Sequence, residues 1–363
     1  MWLLGGRWDD SGGRPSGFFE RFVTFIMGIN PQIDCFYLNG GAFKDLDPIL
    51  RYGEVPRFTK PPDYVIWMVD CPNDKPKLVS EIKNLYPKCV LVTSKRNDNA
   101  KYSFMDLMFH ALHLKSNLLM EFSKGADGMV SASVYDPLGN AYGCIGITDP
   151  AMLASVVVKR MLFLGTMTRQ KSIQDGPALE VPEKSAFFNL VRDYADTYHN
   201  LIHAKECTRM LGNVSFRCEK GFPSFRDGEV VYVSRRNMDK RMIGKEGFVA
   251  VDLDDEKVVR YCGEFKPSVD TPIQTALYRK YPAINYMLHS HVYVEGAPMT
   301  EAVIPCGAME EYNEIVERIG EPSHGVAGIR LNLRGHGSLV MGANLEAFIN
   351  IPYVARVFPE VQG

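Results

Sequence analysis

What this chain lacks narrows it first. Its 8 cysteines are scattered over 363 residues, with no CxxC pair among them. Neither a thiolate zinc knuckle nor a thioredoxin-like motif is expected, and reduced thiols fit better than a disulfide framework. Positive charge is not in excess: 41 Lys and Arg face 43 Asp and Glu, a net charge of -2, which offers no basic field for nucleic acid. Uninterrupted apolar runs of membrane length are missing. "MLASVVVKRMLFLG" comes nearest, and Lys159 and Arg160 break it, so a buried or amphipathic helix is predicted rather than a membrane span. "MWLLGGRWDDSGG" has no basic n-region and too short an apolar run for a signal peptide. Internal repeats and low-complexity segments are absent. A hydrophobic share of 46% is that of an ordinary soluble protein, and a cytoplasmic one is expected.

The length predicts two domains. In the first part, "MWLLGG", "CFYLNG", "YVIWMVD" and "CVLVTSK" read as short apolar strands. The helical stretches "SGFFERFVTFIMG" and "KPKLVSEIKNLY" lie between them. This alternation predicts a parallel, doubly wound, Rossmann-like α/β domain over residues 1–170. A long helix from about Ser103 to Lys124, a hairpin in "GMVSASVYDPLG" and a helix near Pro150 to Thr168 complete it. The glycine-rich "GGRWDDSGGRPSG" matches neither GxGxxG nor the lysine-bearing phosphate loop; a flexible loop or a phosphate cradle both fit. Residues 171–184 lose apolar periodicity and read as a linker. Residues 185–363 form the second domain, opening on a helix with apolar residues at Phe187, Leu190, Val191 and Tyr194.

Only eight histidines occur, so their settings carry weight. "MLHSHVYV" places His289 and His291 two residues apart in a strand-like run, projecting to one face with Met287 and Tyr293. Two imidazoles so placed can reach one metal ion, but packed histidines fit the same pattern until a third ligand is found. His336, between glycines in "LRGHGSLVMG", is one candidate, and His324 in "EPSHGVAG" is the competitor. His110, His113, His199 and His203 fall at helical spacings and read as helix-face residues. Asp270, nineteen residues before His289, is either an acid near that site or the N-cap of the helix that Thr271 and Pro272 begin.

Three segments together resemble one known family. "KPSVDTPIQTALYRKYPAINYMLHSH", "LRGHGSLVMGANLEAF" and "MLGNVSFR" are similar, in order and spacing, to motifs of the class II aldolase/adducin head family, over roughly Ser185 to Gly363. The resemblance implies an α/β/α domain with a central, mainly antiparallel sheet. It implies Zn²⁺ held by His289, His291 and His336, with Asp270 moving a proton. It places Gly212, Asn213, Ser234, Arg235 and Ser268 near the phosphate of a sugar-phosphate-like substrate. The implied reaction is aldolase-type carbon–carbon cleavage through a metal-stabilised enediolate. A related epimerase or dehydratase, or a non-catalytic adducin-like binding module, is the alternative. A homo-oligomer, tetrameric in this family, is also implied, with Tyr353 a candidate for the tyrosine that members lend across an interface. The chain departs from the pattern in three places. Arg235 and Arg236 follow Ser234 where a glycine is usual, Val269 replaces a serine, and the span from His291 to His336 is short. No residue matches the further catalytic aspartate of the epimerases.

Overall fold

A computed structural model describes residues 2–5, 17–29, 35–37, 60–68, 76–168, 172–202, 212–218, 228–320 and 328–361. The chain divides into two compact units: unit 1 is residues 1–169 with 358–363, and unit 2 is residues 170–357. The glycine-rich loop after the first strand, His203 and His324 lie outside the described residues.

Unit 1 is an open sheet of strands β1 (Trp2–Gly5), β2 (Cys35–Tyr37), β3 (Tyr64–Trp67), β4 (Val90–Arg96), β5 (Leu118–Lys124), β6 (Val130–Tyr135) and β7 (Asn140–Ile147). The order β2-β1-β3-β4-β5 is parallel throughout, and β5-β6-β7 continues it antiparallel. Helices α1 (Gly17–Ile29), α2 (Pro76–Leu85), α3 (Phe104–His113) and α4 (Pro150–Thr168) accompany it. One face buries Val90, Val92, Leu118 and Met120 under Phe22 and Ile26 of α1 and Leu153 and Val157 of α4. The other face carries Leu107, Met108 and Ala111 of α3 on Leu119, Tyr135 and Ala141. Strands covered on both faces need unbroken apolar runs, which explains why these segments do not alternate. Pro150–Met167 is long and apolar enough, by length and composition alone, to cross a membrane. Here its Leu153, Ala154, Val157, Val158 and Met161 belong to the core of unit 1.

The long helix expected from Ser103 to Lys124 is two elements. Ser103 and Asp106 form a reciprocal capping box at the start of α3, a motif that contributes about 1 kcal/mol. The helix stops at His113, Lys115 takes a positive φ of 57°, and β5 begins at Leu118. Asn117 decides the switch: its backbone N–H donates to the Leu91 carbonyl, and its side-chain oxygen accepts from the Leu91 N–H at 2.9 Å. That pairing with β4 lies outside any local window.

Unit 2 contains β8 (Ser172–Gln174), α5 (Ser185–Leu201), β9 (Asn213–Arg217), β10 (Val230–Ser234), β11 (Phe248–Asp252) and β12 (Val259–Tyr261). It continues with α6 (Thr271–Lys280), β13 (Tyr286–Ser290), β14 (Tyr293–Val294), α7 (Met309–Ile319), β15 (Gly328–Leu333), β16 (Gly337–Gly342) and β17 (Tyr353–Val354). The main sheet runs β15-β16-β13-β9-β10-β11-β12-β8, antiparallel except where β8 joins β12 in parallel. The stretch expected as a linker thus contributes an edge strand. β14 and β17 pair separately.

Alternation sorts the strands between two cores. Val214, Phe216, Tyr232, Phe248, Ala250, Leu288 and Val340 face α5. Val231, Val233, Val251, Met287, Leu339 and Met341 face α6 and α7. The result is the three-layer α/β/α arrangement. Strand β18 (Glu360–Val361) belongs to unit 1, where it pairs parallel with β7. Phe216 is fully buried, stacked on Tyr232 and edge-on to Phe187 and Phe248. Phe216→Ala should therefore lower stability by about 3–5 kcal/mol, read as a shift in the denaturant midpoint.

Candidate metal centre

Three buried imidazoles converge at one end of the unit 2 sheet. His289 is 4% exposed, His291 8% and His336 0%. Their ring centroids lie 4.5 Å apart for His289 and His336, 5.1 Å for His289 and His291, and 5.3 Å for His291 and His336. One ligand nitrogen from each lies within 4.8 Å of the others. His289 sits in β13 on the α6/α7 face with Met287. His291 follows the end of that strand, so the pair converges through a bend and not through strand alternation. His336 occupies the three-residue turn between β15 and β16, where Leu333 pairs with Gly337.

Two glycines permit this closeness. A Cβ on Gly212 would lie 2.0 Å from the His289 carbonyl oxygen, and one on Gly337 would lie 1.9 Å from that of Ser290. Both take positive φ, 73° and 149°. Glycine alone fits where a strand start is pressed against a neighbouring backbone.

Hydrogen bonds then decide which ring atoms are offered. His289 Nδ1 lies 2.9 Å from the Ser338 carbonyl and donates to it, leaving Nε2 as the acceptor. His336 Nδ1 lies 2.6 Å from Glu311, a 4% exposed carboxylate at the start of α7, which leaves its Nε2 to face inward. His289 Nε2 and His291 Nδ1 are buried with no hydrogen-bond partner among the described residues. Burial, reinforced by the other imidazoles, holds the pKa of His289 and His291 well below the ordinary histidine value, so both stay neutral. At His336 burial opposes protonation, but Cys306 and Glu311 outweigh it and pull the pKa well up. Zinc takes neutral imidazoles, often with the second nitrogen anchored as at His289 and His336, and His336 would give up its extra proton on binding the ion. The residues present fit the ion.

Asp270 occupies the N-cap position of α6, but its side chain makes no capping hydrogen bond. Oδ2 instead accepts from Asn213 Nδ2 at 2.7 Å. Oδ1 is buried without a partner among the described residues. Asn213 Oδ1 in turn accepts from Gln274, one helical turn after Asp270. This chain fixes the amide orientations and holds the carboxylate toward the sheet.

The residues expected near a substrate phosphate are spread among different tasks. Gly212 and Asn213 serve as described above. Ser234 is fully buried, and its hydroxyl accepts from the Val214 N–H at 3.2 Å. Arg235 donates to the Glu246 carbonyl at 2.9 Å and lies 3.2 Å over the Phe265 ring. Ser268, half-buried, is next to the site: its Oγ accepts a long bond from the Asp270 N–H, 3.4 Å. Tyr353 packs edge-on against Tyr194 and Tyr198. His199 is buried on α5, while His110 and His113 lie in the last turn of α3 in unit 1.

Three participants were not singled out from sequence. Glu311 and Cys306, in "IPCGAMEE", reach the site only because the β15–β16 turn folds over α7. Lys240 is 3% exposed, and its ammonium donates to the Met238 carbonyl at 2.8 Å. Its charge bears on Asp270, His289 and His291.

The family comparison agrees with this geometry. Residues 192–358 match the model described as the class II aldolase and adducin N-terminal domain. The match spans most of unit 2 and a little under half of the chain. Residues 1–169 lie outside the match. Among curated proteins, methylthioribulose-1-phosphate dehydratase of Xylella fastidiosa (strain M12) is 37% identical over 65 residues, 18% of this chain and 28% of that protein. The dehydratase of strain Temecula1 / ATCC 700964 matches to the same extent. The aligned stretch thus spans little more than a quarter of these relatives' length. Among solved structures, L-fuculose 1-phosphate aldolase is 17% identical, with 47% of this chain and 81% of that one covered at a TM-score of 0.32. The N-terminal class II aldolase domain of a conserved protein from Thermoplasma acidophilum is 16% identical, with 47% and 92% covered at a TM-score of 0.33.

Within unit 2, burial lowers the pKa of Lys240 from 10.5 to about 8, against the opposing pull of Asp239 and Asp270. Below pH 8 folded and unfolded chains both hold the proton, and the folded state carries the full burial penalty. Between the two values the unfolded chain binds more protons, so stability rises with pH. Lys240→Met should remove a rise on the order of 3 kcal/mol between pH 8 and 10.5, measured as the difference between variant and parent in denaturation at each pH.

Proposed function

We propose that unit 2 is a zinc-dependent, aldolase-type lyase acting on an anionic, sugar-like substrate. The observation that carries this reading is the convergence of three buried imidazoles, with Asp270 close to His336 and its Oδ1 left without a partner among the described residues. An isolated cap would use its carboxylate on the helix; here it is withheld for another purpose.

His289, His291 and His336 would hold the ion, which when bound supplies Lewis-acid polarisation of a substrate carbonyl. Asp270 takes the proton beside that carbonyl on Oδ1 and later returns it, while Asn213 keeps Oδ2 fixed so that the base does not rotate away. Gln274 holds Asn213 in turn. Lys240 brings a desolvated positive charge near the same carboxylate, suited to an anionic substrate group. Arg236, exposed in the same loop, also acts on Asp270 by its charge. Burial of the histidines keeps bulk water from competing for the reacting atoms.

A second reading, dehydration, follows from the name of the curated relatives that share 37% identity over 65 residues. It begins with the same proton transfer by Asp270 and differs in the bond broken next, carbon–oxygen instead of carbon–carbon. A non-catalytic binding module would need neither the ion nor the base.

Elemental analysis of the purified chain should find about one zinc per chain, and His289→Ala should lose it. Unchanged metal in that variant would overturn the reading. A panel of ketose phosphates, assayed for aldehyde release and for loss of water, separates lyase from dehydratase. In either case Asp270→Asn should keep its metal and lose turnover by about 10²- to 10⁴-fold. Full activity in Asp270→Asn removes it as the base.

A further inference from the structure

Lys240 is a buried cation that the chain itself does not neutralise. It opens the short turn Lys240–Met242 and is 3% exposed. Arg192 of α5 fastens the end of that turn through a 2.6 Å bond to the Ile243 carbonyl. The neighbouring carboxylate, Asp239, is committed to Arg241, whose guanidinium donates to it at 2.6–3.1 Å. Lys240 Nζ is left with the Met238 carbonyl at 2.8 Å, and it forms no ion pair with a carboxylate of the described residues. An ammonium carries three donors, so two N–H groups remain unused.

The loop that carries this turn lies along the segment that presents Asp270. Arg235 bridges Pro267 in antiparallel fashion, the Arg236 N–H donates to the Lys266 carbonyl at 2.9 Å, and the Ser268 N–H donates to the Ser234 carbonyl at 3.1 Å. Asp270 is itself 8% exposed and its charge acts on Lys240. The two groups nevertheless stay apart: Asn213 engages Asp270 Oδ2, and Oδ1 has no partner among the described residues. Opposite charges buried so close ordinarily close on each other, because separation leaves both desolvated. Held apart, the ammonium still lacks an anion. One brought from outside would meet it beside Asp270 and the imidazoles of His289 and His291, on which Lys240 also acts by its charge.

Residues suited by type to a more remote phosphate are engaged elsewhere. Ser234 holds the Val214 N–H, Arg235 donates to the Glu246 carbonyl and covers the Phe265 ring, and Val269 offers no side-chain donor. Two N–H groups on one ammonium match the two oxygens of a carboxylate, whereas phosphate is commonly met by arginine forks and helix N-termini.

We propose that Lys240 binds a carboxylate attached directly to the carbonyl that the site activates, which makes the substrate a 2-oxo acid and not a ketose phosphate. The inference rests on the zinc reading above and narrows its anionic substrate to that class. Lys240 is then a specificity residue: it selects the acid and fixes which carbonyl lies beside Asp270, and Asp270 stays the base.

Calorimetric titration of the zinc-loaded full chain at neutral pH, with pyruvate and with dihydroxyacetone phosphate, tests this without turnover. Zinc content is measured on the same samples. The parent should bind pyruvate more tightly than dihydroxyacetone phosphate. Lys240→Met should keep its zinc and bind pyruvate at least about tenfold more weakly, the loss expected for one hydrogen bond to a charged group, with its binding of dihydroxyacetone phosphate unchanged. Lys240→Gln serves as the second uncharged variant should the first not fold. A zinc-loaded parent that fails to bind pyruvate or prefers dihydroxyacetone phosphate overturns this inference and leaves the zinc reading standing. So does an uncharged variant that binds pyruvate as the parent does, or that loses both ligands alike. A parent that takes up no zinc, or zinc that persists in His289→Ala, overturns both.

Discussion

Unit 2 depends on the approach of two strand starts to the end of β13. Gly212 opens β9 against the His289 carbonyl, and Gly337 opens β16 against the Ser290 carbonyl. β9 and β16 are the two neighbours of β13 in the sheet, so the histidine-bearing strand is gripped on both edges. Any larger residue at either glycine would wedge the ladder apart at the place where His289 and His291 emerge. The sheet and the site are therefore one construction: the interactions that align β9, β13 and β16 also bring the rings together.

That construction carries a penalty. A buried donor or acceptor without a partner costs about 1–3 kcal/mol, and several atoms unpartnered among the described residues are gathered here: His289 Nε2, His291 Nδ1, Asp270 Oδ1 and Gln274 Oε1. Lys240 adds a desolvated ammonium. Extensive apolar burial on both faces of the sheet offsets this, through the aromatic cluster around Phe216 under α5 and the aliphatic layer under α6 and α7. Polar atoms kept bare together at one edge of a core are a physical signature of a ligand site.

Much of this was legible in the sequence. Apolar runs bounded by glycine and proline marked the strands of unit 1. The histidine pair, His336 in its glycine frame and the spacing to Asp270 pointed to one centre before any coordinates. Local pattern failed where partners lie far along the chain. The segment after His113 carries helix-compatible residues, and pairing with β4 and β6, begun by the bonds between Asn117 and Leu91, draws it into the sheet. Strand alternation placed His289 and His291 on one face, whereas the chain leaves β13 after Ser290 and returns His291 by a bend. Ser234 and Arg235 suited an anion by type, but backbone and ring partners engage them here. Glu311, Cys306 and Lys240 carried no local signal.

By itself the sequence determined which chemistry is available: three imidazoles, one acid at a helix start, and the glycines that let backbones touch. These follow from residue type and short-range spacing, which a linear reading sees directly. Tertiary structure alone decided which atom of each residue faces the centre. Ser338 and Glu311 orient two imidazoles, and Asn213 draws Asp270 away from capping its own helix. It alone set a sulfur beside His336. Each of those choices is a hydrogen bond or close contact between residues at least 25 positions apart, and separations of that size acquire meaning only once the sheet has closed.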